Sequence, residues 1–351
     1  MEKKIAFSAP GRVCLAGEDI DWISGPSFLS AVELRTFVQI ERLSLDIQKV
    51  IFSSGDPLHF VHEIALEKIG SYTGHKSDYL NAALNVIKNF GVKIPPVQLN
   101  VKSDIPANAG LSSSAAVLVA TIAALSQFFG IKVSVSEICN LAYVAESGEL
   151  RTGVGQMDLY SCGLGGLMYL DSSTNPPSSI EKYDFPTELR IVVVDTLSPR
   201  NTGNVISMKR ERLNKADPLI LSYIKYTEDA IQELRCVLKS SRDMKDIGRI
   251  ISDCHSYLRN YMQVSTVLLD ECVSRCVRNG AYGAKLTGTG MGGCMFALVD
   301  QTYVDNVIES LSGLPVQIYN TIPTDIGLRN DSLGLTQNKQ LHTIYGIVER
   351  L

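Results

Sequence analysis

The chain has 351 residues, of which 45% are hydrophobic, enough for one large domain or two medium ones. Its formal net charge of −4 is mild and comes without clustered Lys/Arg, which argues against a nucleic-acid footprint and a polybasic membrane anchor. No apolar run reaches transmembrane length, and the lysines near the start precede no long apolar segment of the kind a signal peptide needs, so a cytoplasmic protein is expected.

Residues 5–15 alternate weakly and predict a first strand, broken at Pro10-Gly11. Residues 28–45 are β-rich. Residues 78–90 have helical spacing, with Leu80, Ala83, Leu84, Ile87 and Phe90 on one side. A short strand at 97–101 enters the loop DIPANAGLSSSAA, and an apolar helix over 115–129 follows, stopped by Gly130. Ser136 is the expected N-cap of a helix ending at Glu146, with Glu137 in its first turn. Glycines punctuate 148–166. Strands are expected at 167–171 and 190–195, separated by a polar loop over 172–179. Helices are then expected at 219–238, 246–261 and 267–278. Residues 281–300 read as strand, glycine loop and strand, residues 304–311 as a helix and 316–322 as a strand. Elements mixed without regular βαβ alternation predict an α+β fold, and the change of character after Asp195 places a division there, into 1–195 and 196–351.

Four segments carry chemistry. In SAPGRVCLAGEDIDW, Arg12 follows a turn and three acids, Glu18, Asp19 and Asp21, cluster within four residues. Solvated acids at a turn explain this cheaply. Carboxylates that accept hydrogen bonds from a sugar or polyol explain it better in company with the other segments. The loop at 104–116 runs into a helix start, where unpaired N–H groups and the helix dipole favour an anion. One serine would be an ordinary N-cap; three, among small residues that let the backbone come close, exceed what capping needs. The loop lacks the lysine of a Walker A sequence. In AESGELRTGVGQMDLYSCGLGG, Glu146 at a helix end is disfavoured by the dipole, a hint of a nearby cation such as magnesium, and Asp158 sits among glycines just before a strand. In GAKLTGTGMGGCMFAL, four glycines lie between apolar runs, as a plain turn or as close backbone approach to a ligand. The eight cysteines form no CxxC pair and read as buried free thiols of a reducing compartment; His59 and His62 lack a third metal ligand.

These segments resemble, in order, the three motifs of the GHMP kinase superfamily, in its galactokinase-like branch: APGRVCLAGEDIDW, PANAGLSSSAA and AKLTGTGMGGC, over residues 5–298. The resemblance implies an N-terminal domain like ribosomal protein S5 domain 2 and a ferredoxin-like C-terminal domain. It implies ATP and Mg2+, a small-molecule acceptor and phosphoryl transfer to an alcohol group. Ser114 and Glu146 would hold the metal. Asp158 would be the catalytic aspartate that orients or deprotonates the acceptor hydroxyl, with Arg12 steadying the reacting oxygen. Glu18, Asp19 and Asp21 would bind acceptor hydroxyls. Pro106, Asn108, Ala109, Gly110, Leu111, Ser112, Ser113, Ser114, Gly288 and Gly290 would surround ATP. The chain departs from galactokinases at Asp19 (usually His), Ile20 (Thr) and Trp22 (Tyr), and DTLSPRNTGNVISMKRERL is closer to mevalonate kinases. Three acids would repel an anionic acceptor unless Arg35, Arg151 or Arg200 offset them, so a neutral sugar or polyol is favoured. A mevalonate kinase-type enzyme, a decarboxylating lyase and a ligand sensor without turnover are the alternatives.

Overall fold

The computed structural model describes residues 4–55, 58–107, 109–185, 188–198 and 202–332. In chain order the elements are β1 (Ile5–Ala16), β2 (Pro26–Arg42), β3 (Lys49–Ser54), β4 (Phe60–Ala65), α1 (Asp78–Lys88), β5 (Val97–Ser103), α2 (Ser113–Phe129), α3 (Val135–Tyr143), α4 (Met157–Leu164), β6 (Leu167–Asp171), β7 (Ser179–Tyr183) and β8 (Leu189–Asp195). There follow α5 (Thr202–Asn214), α6 (Pro218–Lys239), α7 (Met244–Tyr257), α8 (Val267–Arg278), β9 (Ala281–Leu286), β10 (Cys294–Asp300), α9 (Val304–Ser310), β11 (Gln317–Thr321) and β12 (Arg329–Asn330).

The first sheet runs β12-β1-β2-β5-β3-β4, and β6 and β7 extend it from the first half of β2. The 17-residue β2 is its spine: residues 26–30 pair with β6 and residues 36–42 with β5, while β1 lies along both halves. Pro10-Gly11 does not break β1. It makes a bulge, with partners stepping from Arg35 to Val32, and a bulge twists a strand and re-aims the side chains that follow. Arg12 is the next residue.

The second sheet has the order β11-β8-β10-β9, all antiparallel. With helices α5 to α8 between β8 and β9 and α9 between β10 and β11, it is the βαββαβ arrangement of a ferredoxin-like unit. Strand β8, whose Ile191–Val194 core is fully buried, pairs within this sheet. A division after Asp195 therefore separates β8 from both its partners, because strand pairing, not composition, decides sheet membership.

Helix α2 is apolar all round and is buried along most of its length, packed on β1, β2, α1 and α4. It starts two residues before the expected Ala115. The N-cap of α3 is Ser134, not Ser136. Ser134 Oγ accepts from Glu137 N at 3.3 Å, and Glu137 Oε2 accepts from Ser134 N at 2.7 Å, a reciprocal capping box. The helix does not end at Glu146; a wider π-type turn carries it through Val144–Glu149. Helix α4 replaces the loop expected around Asp158. Its flanking glycines hide it in the sequence, and one of its own, Gly163, lets Cys139 Sγ pack where a Cβ would sit. Strands β3, β4 and β7 and helix α5 had no expectation attached. Among the described residues no helix is long and apolar enough to cross a membrane.

Candidate active site

A cavity of about 580 Å³ opens where β1, the loop before α2, the start of α4 and the β9–β10 loop converge. One end is apolar, lined by Leu58, Phe60, Tyr79, Leu80 and Val101. The other is acidic, with Asp19, Asp21, Glu146 and Asp158 around Arg12.

Arg12 is buried. Its Nε donates to Asp158 Oδ1 at 2.7 Å, and its Nη2 lies 2.6 Å from the same oxygen. Its Nη1 donates to the Gly110 carbonyl at 2.6 Å. Burial works against the guanidinium charge, but Asp158 and Glu18 outweigh it and hold the proton more tightly than usual. Asp158 stands in the first turn of α4, where the dipole favours a carboxylate. Both Arg12 contacts fall on Oδ1, and Oδ2 has no hydrogen-bond partner among the described residues. Arg12 also donates its backbone N–H to the Leu111 carbonyl, which ties β1 to the serine loop.

That loop is pressed against the β9–β10 loop. Gly110 has φ +88°, and a Cβ there would lie 2.4 Å from the Thr287 carbonyl oxygen, so both the conformation and the approach require glycine. Ser112 takes the N-cap position of α2 at φ +63° without capping it, and its Oγ is buried with no partner among the described residues. Ser113 and Ser114 are the first residues of the helix. The first-turn N–H groups of α2 thus lack a side-chain cap, and Ala109, Gly110, Ser112, Ser113 and Ser114 line the cavity. Pro106 and Leu111 do not line it, Leu111 being part of the core; Asn108 lies outside the described residues. Gly288 lines it, but its N–H donates to Glu18 Oε1 at 2.7 Å. Gly290 faces away, against Val264.

Ser114 Oγ donates to Glu146 Oε1 at 3.0 Å. Burial, with Asp158 adding repulsion and the Ser114 bond opposing, pushes the Glu146 carboxyl up to about 7. Burial and the neighbouring Glu146 push the Tyr79 hydroxyl, at the edge of the same site, up to about 12.

The three acids expected to share one role have three different settings. Glu18 is spent inside the protein: Oε2 pairs with fully buried Lys285 at 2.9 Å and Oε1 takes the Gly288 N–H. Both of its oxygens are therefore already engaged within the protein, although the residue lines the cavity. Asp19 pairs through Oδ2 with fully buried Lys209. Asp21 is half-buried, with no ion pair or hydrogen bond to its carboxylate among the described residues. Burial, then repulsion from Asp158 and Asp19 with Arg12 opposing, pushes it up to about 8. Asp21 packs on Gly155, where a Cβ would sit 2.1 Å from its Oδ2.

Sequence reasoning missed Lys285, Lys209 and Thr287. Thr287 Oγ1 accepts from Cys14 N at 3.3 Å and Arg12 Nη1 at 3.4 Å. Lys285 stands inside the third motif, just before its glycines, and nothing local in the sequence marks it as buried. Arg35 is buried on the Ser8 and Gly327 carbonyls, Arg151 is exposed, neither lines the cavity, and Arg200 lies outside the described residues. The described cysteines form no disulfide, and all but Cys236 are buried. His62 and His75 both bond the Ser77 hydroxyl, and among the described residues no group of three or more His, Cys, Asp or Glu could hold a metal ion.

Residues 78–166 match the GHMP kinases N terminal domain, residues 229–315 the GHMP kinases C terminal domain and residues 1–42 the galactokinase galactose-binding signature. The mevalonate kinase of Pyrococcus furiosus is 30% identical over 330 residues, covering 89% of this chain and 95% of the relative. This chain belongs to the GHMP kinase family. The galactokinase of the same organism is also 30% identical, over 340 residues covering 88% of this chain and 92% of that one. Among solved GHMP kinase structures, Lactococcus lactis galactokinase complexed with galactose superposes with a TM-score of 0.80 at 21% identity, over 93% of this chain and 95% of that chain. Methanococcus jannaschii mevalonate kinase gives 0.76 at 22%, over 92% and 99%. The two-domain GHMP kinase fold is therefore shared with both branches. Members of the family are phosphotransferases with alcohol acceptors that use ATP as phosphate donor.

Proposed function

We propose that this GHMP kinase transfers the γ-phosphate of ATP to a hydroxyl of a neutral sugar or polyol. The observation that carries this reading is the Arg12–Asp158 pair, set in one cavity with the uncapped start of α2. The serine loop would take the phosphates on the first-turn N–H groups of α2, and the apolar end beside Tyr79 and Leu80 would take the base. The acceptor would lie at the acidic end, with its hydroxyl on Asp158 Oδ2. The hydroxyl oxygen attacks the γ-phosphorus, the bond to the β-bridging oxygen breaks, and ADP leaves. The hydroxyl proton goes to Asp158. Arg12, fixed on Oδ1, orients Oδ2 and steadies the charge that develops in the transfer. Phosphoryl transfer asks mainly for positioning and charge stabilisation, which these residues supply.

Ser114 and Glu146 suit a magnesium ion. They offer one hydroxyl and one carboxylate, too few oxygens alone but the set that a magnesium sharing its shell with phosphates and water uses. The raised Glu146 carboxyl is what a buried acid shows before a cation offsets its charge. When bound, the ion would neutralise charge on the phosphate oxygens.

Asp21 supports the neutral acceptor. A carboxyl with no cationic partner among the described residues exchanges hydrogen bonds with hydroxyls and offers a carboxylate no positive charge to pair with. The galactose-binding signature over residues 1–42 points the same way. A coupled ADP-release screen over hexoses, pentoses, polyols and mevalonate tests the reading. Turnover of a neutral sugar or polyol supports it. Turnover of mevalonate alone would overturn the acceptor assignment, and ATP binding without turnover of any of them would favour a sensor.

A further inference from the structure

Lys209 enters from α5 and is fully buried. Its ammonium pairs with Asp19 Oδ2 and donates to the Thr289 carbonyl at 2.7 Å. Asp19 lines the cavity and Lys209 does not, so the carboxylate stands in front of the cation. The same end of the cavity holds Arg12 on Asp158 and, behind Glu18, the equally buried Lys285. Each of these cations is matched by an acid, and Asp21, like Glu146, stands there without an ion-pair partner among the described residues. Helix α5 contributes Gly203 and Ile206 to the cavity wall, so Lys209 also fixes that wall against the first motif.

We infer that the Asp19–Lys209 pair sets acceptor specificity: Asp19 screens the buried ammonium and so keeps carboxylate-bearing acceptors out. The inference rests on the reading of the acidic end as the acceptor site. A lone ammonium in a site of low polarisability attracts a carboxylate strongly. The same ammonium behind a contacting carboxylate presents little net charge, so an anionic acceptor gains little there. Neutral hydroxyls lose nothing by this arrangement, because Asp19 keeps its other oxygen.

Asp19→Asn tests it. Asp19 has φ +62°, a conformation asparagine adopts readily, so the backbone is preserved while the screening charge goes. The measured quantity is kcat/KM for galacturonate relative to galactose, and for glucuronate relative to glucose, each pair differing only at one carbon. The ratio is expected to rise roughly tenfold or more in Asp19→Asn. In Lys209→Met, which removes the cation and leaves Asp19, the ratio is expected to fall. Near-UV circular dichroism and ATP affinity verify that each variant is folded, and either variant alone keeps the test open if the other is not. A ratio unchanged in Asp19→Asn, or rising in both variants, would overturn the inference. A wild type that uses uronates as readily as neutral sugars would overturn it too while leaving the kinase reading intact. A wild type that binds ATP but phosphorylates no sugar would instead overturn the acceptor reading, and the inference with it.

Discussion

Arg12 and Asp158 are joined through a single carboxylate oxygen: Nε and Nη2 both address Oδ1, at 2.7 and 2.6 Å, while Nη1 reaches the Gly110 carbonyl. One guanidinium thus ties the acid on α4 to the serine loop before α2. Oδ2 is left to meet a hydroxyl.

Asp158→Asn keeps this shape and removes the charge that would draw the acceptor proton. Turnover is expected to drop by roughly a hundredfold or more, with ATP affinity nearly unchanged. ADP release and calorimetric titration of ATP measure the two separately. Wild-type-like turnover in this variant would sink the role proposed for Asp158.

Glu146 gives a pH dependence with a definite sign. Its carboxyl moves from an ordinary 4.5 up to about 7 in the folded chain, chiefly through burial. Between those values the unfolded chain has released the proton and the folded one still holds it, so stability falls as pH rises through this window. The loss approaches about 3 kcal/mol. Asp21 acts in the same direction up to about 8. Urea midpoints of the ligand-free protein are expected to decline from acid to neutral pH, less steeply in Glu146→Gln. An equal slope in that variant would show that Glu146 is not the group responsible. With magnesium and ATP present the wild-type decline is expected to shrink, because a cation favours the ionised carboxylate.

Asp21 makes a separable prediction. Below about 8 it is a neutral carboxyl and above it a carboxylate. A hydroxyl donates more strongly to the charged form, so the KM for a neutral acceptor is expected to fall as pH rises through that value. In Asp21→Asn this limb disappears and the acceptor KM rises by roughly tenfold, while the KM for ATP stays put. Steady-state kinetics with each substrate varied in turn decide it. A matching rise in the KM for ATP would place Asp21 at the wrong end of the cavity.

What the sequence revealed and what it hid follow from distance along the chain. The serine loop was legible because its glycine, its serines and the apolar helix behind it are adjacent, and each acts through local backbone geometry. The two sheets were legible in part: the Ile191–Val194 run announces a buried strand, but only its pairing with β10 and β11 shows which sheet owns it. Helix α4 was hidden because eight residues among glycines carry too little periodicity to register, although its packing on α2 and α3 holds it. The acids of the first motif were legible as a cluster and illegible as individuals. Asp19 is distinguished by a lysine 190 residues away, and Glu18 by one 267 residues away.

That last pair carries a stability prediction. Lys285 and Glu18 are both buried, and the lysine ammonium also donates to the Cys14 and Leu286 carbonyls at 2.8 Å. The interaction joins β9 of the second sheet to the chain just after β1 of the first, and through Gly288 it holds the loop that faces the serines. Removing one partner strands the other charge away from water. Lys285→Met or Glu18→Gln alone is therefore expected to cost on the order of 3–5 kcal/mol. The double variant removes both charges and leaves no unpaired ion. It is expected to be clearly more stable than the sum of the single effects predicts, by about 1–3 kcal/mol. Urea unfolding of the four proteins closes the cycle. Strict additivity would mean that the two residues stabilise the fold independently, and that the contact between the sheets lies elsewhere.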